Sequence, residues 1–470
     1  MPARVLICGL FLLAPAAAHA ASQLPPTFTG KIDRDVAAVM HRFEVPGAAV
    51  MVLEHGQVTY EQAYGLRDKA RALPVRTDTF FEIGSITKQF TAACILQLQD
   101  AGKLKLDDPV AKYLPDAPHA KEITIRELLS HTSGLHDYFD TPGADRASSK
   151  PISYEALIAR VAKLPLDFPP GSRWSYSNTG YRMLGRIIEK VSGTTYKNYL
   201  QHHILDTLHM TRTYTTTDES RLPNMAVGYR HVNGKLDVAP VIHADWGGAA
   251  GFLISTMSDL SKWDAGLRGG KVVPMADYKA MTTPFLTSAN GSADYGLGLF
   301  VDSLYGQPRI GHTGGTNGQT TADEFFPQQD VRIIAFTNSG DGPPEAGETL
   351  TSVIFADLFP ATAAKALQPA PGENLAITQI VRAAFEELQA GKGYAHFTAH
   401  LKEKLGEGSG AKFAANLGAF GAPSAEVFKG VRHDGKDVWY DYTMQFGPGV
   451  SLPFGVKLDD HKAVAGLSVG

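Results

Sequence analysis

Apolar residues recur at helical spacing at Ile32, Val36, Met40 and Phe43, so the pattern predicts a helix over 31–43. The segment AAVMVLEHGQVTYEQAYG then has the content of two strands turning about His55 and Gly56. From Ser85 to about Met210 the periodicity is mainly helical. Thr124 and Glu127 form a capping box that opens TIRELLSH, and Tyr181, Leu184, Ile188 and Val191 mark an amphipathic helix ended by Gly193. Strand-like runs return at 295–303, 320–326 and 331–339, before a helix near 344–358. Strands at both ends with helices between them predict an α/β (α+β) architecture, a mixed sheet closed by the two ends of the region and flanked by helices.

Residues 360–372, PATAAKALQPAPG, are rich in Ala and Pro without periodic apolar positions and read as an extended linker. Beyond it Ile377, Val381, Ala384 and Leu388 mark a helix. Val438, Tyr440, Tyr442, Met444 and Phe446 then alternate, as do Val450, Leu452, Phe454, Val456 and Leu458, with Asp434 and Gly435 supplying a hairpin turn. The expected organisation is a main domain over 21–359, a linker over 360–372 and a small C-terminal α+β domain over 373–470. Helix followed by meander resembles the cystatin-like or NTF2-like cone.

The 470 residues exceed one typical core of roughly 100 to 200 residues, in keeping with that division. Lys and Arg number 44 against 48 Asp and Glu, a net charge of −4, with no basic stripe, which argues against nucleic acid or an anionic membrane as partner. At the N-terminus Arg4 precedes an apolar run and then Ala18, His19 and Ala20, the layout of a signal peptide over 1–20. Pro15 interrupts the run, which is shorter than the ~20 residues of a spanning helix. The expectation is an exported protein, periplasmic or secreted, with no integral membrane segment after cleavage. Cys8 would leave with the signal. Cys94 would stay alone in the apolar run AACILQL, as a buried small side chain.

Candidate chemistry comes in short motifs, each with a decoy. Gly466 to Gly470 spells GxSxG around Ser468, but an elbow serine stands between a strand and a helix, and no helix follows in this sequence. Ser85, Ile86, Thr87 and Lys88 enter a helical run. Residues three apart share a helix face there, so the Lys88 amine reaches the Ser85 hydroxyl, and the positive helix terminus and burial both favour the neutral amine. Ser409 and Lys412 repeat the spacing in a Gly-rich loop. Tyr176, Ser177 and Asn178 stand at a loop-to-helix junction, and Tyr196, Lys197 and Asn198 repeat that pattern inside a helix. His312, Thr313, Gly314 and Gly315 lie between strand-like segments, and His433 stands before a hairpin turn.

Taken in order, SITK, LLSHTSGL, PGSRWSYSN and GHTGG resemble the penicillin-recognising serine hydrolases, in the group of class C β-lactamases, D,D-peptidases and β-lactamase-type esterases, over roughly residues 30 to 358. The resemblance implies Ser85 as the acylated nucleophile, Lys88 as its base and Tyr176 as the proton shuttle to the leaving group. It also implies Asn178, His312, Thr313 and Gly314 as substrate-binding residues and the N–H groups of Ser85 and Gly315 as the oxyanion hole, with neither metal nor cofactor. His131 of HTSGL reads as structural. Lys is usual in this family where His312 stands, and imidazole with a pKa near ~6.5 is mostly neutral at pH 7. The expected function is a serine hydrolase acting on an amide or ester of a small molecule or peptide. The alternatives are a β-lactamase or D,D-carboxypeptidase, a non-catalytic penicillin-binding-like sensor, and a protein whose C-terminal domain carries an interaction function.

Overall fold

The computed structural model describes all residues except 1–23, 216–221, 233, 288–290, 293, 341–344, 407–413, 415–416 and 470. The expected signal peptide and the Ser409 to Lys412 decoy lie outside the described residues. Helix α1 spans Pro26–Arg42, begun by a proline whose missing N–H costs nothing in the first turn, and buries Ile32, Val36 and Val39. It leads into β1 (Gly47–Glu54) and β2 (Gln57–Asp68), which turn at His55 and Gly56.

The main sheet has seven strands. Its order is β6 (Phe300–Leu304), β7 (Gln307–Gly315), β8 (Thr320–Phe326), β9 (Val331–Thr337), β1, β2 and β3 (Leu73–Pro74). The two ends of the region meet where β1 pairs with β9, Ala48 opposite Thr337. The sheet expected to be mixed is antiparallel at every pairing: hairpins connect its consecutive strands, and β1 and β9, from the two ends of the region, also run in opposite directions.

Side-chain alternation divides β1 between two cores. Ala48, Val50 and Val52 join α1 and α5 (Ala346–Leu358) on one face, while Ala49, Met51 and Leu53 join the helical layer on the other. That helical layer contains α2 (Thr87–Asp100), α3 (Ile125–Leu129) and α4 (Asn178–Ser192). The Thr124–Glu127 capping box opens α3, and Gly193 ends α4 in the left-handed conformation. A small sheet of β4 (Phe81–Gly84) and β5 (Leu253–Ser255) sits beside β7 and delivers the chain to α2.

The segment expected to be an extended linker begins as a helix, α6 (Pro360–Ala366). Proline suits its first turn, alanine favours helix, and Ala363 is buried. Beyond it α7 (Leu375–Ala390) packs Val381, Phe385 and Leu388 on a four-stranded meander. Its strands are β10 (Ala425–Asp434), β11 (Asp437–Gln445), β12 (Ser451–Leu458) and β13 (Val464–Val469), in that order. This separate C-terminal unit meets the α1/α5 layer: a Cβ on Gly449 would lie 2.3 Å from Val353 of α5. The contact is on the sheet face opposite the helical layer.

Candidate active site

Ser85 follows β4 in a turn held by Thr87, whose hydroxyl donates to the Gly84 carbonyl at 2.7 Å and accepts from the Leu253 N–H at 3.1 Å. Gly84 has φ of 49°, and a Cβ there would lie 2.7 Å from the Gly315 nitrogen. A Cβ on Gly314 would lie 2.0 Å from the Ile83 carbonyl oxygen. Only glycine lets the Ser85 turn and the end of β7 approach so closely. The approach sets the Gly315 backbone against Gly84, on the same cavity that Ser85 borders.

Lys88 is the second residue of α2 and is fully buried. Its Nζ is 3.0 Å from Ser85 Oγ, 2.8 Å from Asn178 Oδ1 and 2.5 Å from the Ala250 carbonyl oxygen. Burial pushes its pKa down to about 7, against the pull of the Asp137 carboxylate. A neutral amine fits these partners: its two N–H bonds satisfy Asn178 and Ala250, and its lone pair faces the Ser85 hydroxyl.

Asn178 opens α4, held by Asp137, whose Oδ2 accepts from the Asn178 backbone N–H at 2.6 Å and from Nδ2 at 2.8 Å. That turns the amide oxygen toward Lys88. The Tyr176 ring lies 4.6 Å from Lys88 Nζ, and its hydroxyl contacts Ser85. Burial raises the Tyr176 pKa well above the ordinary phenol range, so the hydroxyl keeps its proton. His131 supports the same turn: its Nδ1 accepts from the Ser177 N–H at 3.1 Å, and its ring packs 4.3 Å from that of Tyr176.

His312 lies on β7, beside Tyr176. Its ring is 2% exposed, enclosed by Tyr295, Phe300 and Tyr176. Nδ1–H donates to the Thr313 carbonyl at 2.5 Å, and Nε2 accepts from the Tyr295 hydroxyl at 3.0 Å. Burial, and then the charge of Lys88, push its pKa down to about 3. With both nitrogens occupied by the protein, the ring is neutral and packed among aromatic side chains. Thr313 is half-buried beside it, and Gly314 packs on β4.

Ser85, Asn178 and Gly315 border a cavity of about 260 Å³ with Phe139, Ile242 and Phe252. The decoys stay apart. Ser468 lies within the β13 ladder opposite Gly455, His433 lies in β10 opposite Val438, and the Tyr196 hydroxyl meets Thr91 in the helical layer. Sequence reasoning missed Asp137, although a lone carboxylate in GLHDYF was a visible signal. It also missed the Ala250 carbonyl and the apolar wall, which have no motif. Among the described residues no group of three His, Cys, Asp or Glu could hold a metal ion, and no helix is long and apolar enough to cross a membrane.

Residues 32–357 match the family model described as Beta-lactamase. A penicillin-binding protein of Bacillus subtilis (strain 168) is 31% identical over 296 residues, 60% of this chain and 65% of that one, so the match spans a little under two thirds of that relative. The structure of an octameric penicillin-binding protein homologue from Pyrococcus abyssi superposes with a TM-score of 0.65 at 25% identity, over 92% of this chain and 96% of that one. A D-stereospecific amidohydrolase from Streptomyces sp. superposes with a TM-score of 0.58 at 29% identity, over 66% of this chain and 95% of that one.

Proposed function

The chain belongs to the beta-lactamase family, and from that premise we propose that it is an exported serine hydrolase cleaving an amide or ester through an acyl-enzyme on Ser85. The observation that carries this reading is the buried Lys88 amine, 3.0 Å from Ser85 Oγ and with its pKa brought down to about 7. Neutral Lys88 takes the Ser85 proton as Oγ attacks the carbonyl carbon. The oxyanion is received by the N–H groups of Ser85 and Gly315. Tyr176 gives its proton to the departing amine or alkoxide and regains one from the Lys88 ammonium, so the leaving group departs neutral and the serine ester remains. Water then attacks that ester by the same relay in reverse.

Phe139, Ile242 and Phe252 favour an acyl group with an apolar side chain. The neutral, enclosed His312 offers no fixed cation to a substrate carboxylate, which disfavours the β-lactamase and D,D-carboxypeptidase readings. Export rests on the N-terminal sequence. The D-stereospecific amidohydrolase among the structural neighbours supports amides as the donors to try first.

The test is intact mass spectrometry after exposure to a fluorophosphonate, with turnover of small amides and esters. Ser85 should be labelled, and Ser85→Ala should lose labelling and, on the scale of nucleophile removal, roughly 10⁴ to 10⁶ in rate. Undiminished labelling of Ser85→Ala would move the nucleophile elsewhere.

A further inference from the structure

A second cavity, of about 370 Å³, opens in the seam between the main domain and the C-terminal unit, on the sheet face away from Ser85. Lys31 and Asp35 of α1, Asp357 of α5 and the turn from Gln445 to Ser451 that joins β11 to β12 line it. The lining residues and their sequence neighbours all belong to the described residues. Asp357 lies in the last turn of α5 and is 2% exposed. Its Oδ1 pairs with Lys31, while its Oδ2 is buried and has no hydrogen-bond partner among the described residues. Lys31 also pairs with Asp35 at 3.1 Å, so one ammonium serves two carboxylates. No basic residue stands in the last turn of α5. The neighbouring cations are committed elsewhere: Lys429 donates to the Ala366 and Gln368 carbonyls, and Arg42 packs over the Phe43 ring at 5.2 Å.

We propose that this cavity is a binding site for a small organic cation, a primary ammonium on an apolar body, held by Asp357. Two independent features call for a cation. A buried carboxylate oxygen without a hydrogen bond is costly, and an incoming ammonium supplies both the donor and the charge. The C-terminal end of a helix carries partial negative charge, so the end of α5 adds to the pull of Asp357. Tyr305, Val353, Leu367, Pro448 and Val450 supply the apolar walls for the body of the ligand. An anion there would meet two carboxylates, and a neutral alcohol would bring the donor without the charge. Because the walls come from both the main domain and the C-terminal unit, an occupant stabilises the contact between them by as much as it binds.

The experiment titrates the full chain at neutral pH with hexylamine, hexanol and hexanoate at equal ionic strength, by calorimetry and by the thermal unfolding midpoint. The native protein should bind hexylamine about tenfold or more tightly than either of the others, and its midpoint should rise with amine concentration. Asp357→Asn should raise the Kd for hexylamine by about tenfold or more. Ala356→Phe, which fills the cavity and keeps the carboxylate, should weaken the amine as well. Equal binding of amine and alcohol, or an unchanged Kd in a folded variant, overturns the inference; where one variant fails to fold, the other decides. Fluorophosphonate labelling of Ser85 should run equally fast with and without the amine. Labelling slowed with the same Kd would place the amine beside Ser85 and overturn the assignment to the seam.

Discussion

Lys88 and Arg332 are both buried cations, one in the helical layer and one on the sheet, and their surroundings treat charge in opposite ways. Arg332, on β9, is held bidentately by Asp323 at 2.6 Å for each bond and also pairs with Asp264, which Arg268 joins at 2.9 Å. Burial works against the guanidinium, yet Asp264 and Asp323 outweigh it and keep its pKa above the ordinary value. Lys88 instead meets three uncharged oxygens. The nearby carboxylate, Asp137, spends its hydrogen bonds on Asn178 and the Phe139 N–H, so burial wins and the pKa falls to about 7. Burial alone therefore decides neither outcome. Matched charge fastens β8 and β9 to the helix Met257–Arg268, while unmatched charge leaves an amine able to exchange a proton near neutral pH.

Replacing each cation by an apolar side chain of similar length should have opposite consequences. Lys88→Met should lower kcat/KM by about 10² to 10⁴, the usual scale of a general base, while urea unfolding shows no loss of stability. Near-normal acylation in that variant would remove Lys88 as the base. Arg332→Met should do the reverse. It leaves Asp264 and Asp323 buried without their cation, which costs about 3 to 5 kcal/mol of stability, with kcat/KM per folded molecule unchanged. An unaltered unfolding midpoint would mean that the cluster holds nothing together.

The smallest effect sharpens the contrast. The Lys88 amine must be neutral to accept the Ser85 proton, so the rate should be full above its pKa of about 7 and fall as pH drops below it, by about tenfold per unit. Asp137→Asn removes the charge that holds this pKa up, so the midpoint of the kcat/KM profile should move to lower pH. A midpoint that moves up, or a profile flat through pH 7, would contradict the assignment.

Much of the frame was legible because it depends on local chemistry. The Thr124–Glu127 box, the Gly193 cap, the run at 320–326 and the alternation along 438–446 each encode their structure within a few residues. The linker was misread for the opposite reason: low periodicity hides a short helix that alanine propensity and the burial of Ala363 suffice to form. Asp137 escaped because its role is to orient Asn178, 41 residues away.

The sequence by itself determined which residues could meet: Ser85 and Lys88 from helical spacing, and Tyr176 and Asn178 from a loop-to-helix junction. The tertiary structure alone decided what those residues became. Enclosure by Tyr295 and Phe300 made His312 a neutral packing group, and the Ala250 carbonyl with Asn178 surrounded Lys88 with uncharged acceptors. The physical reason is that desolvation and charge matching are set by neighbours distant along the chain, and no short motif records them.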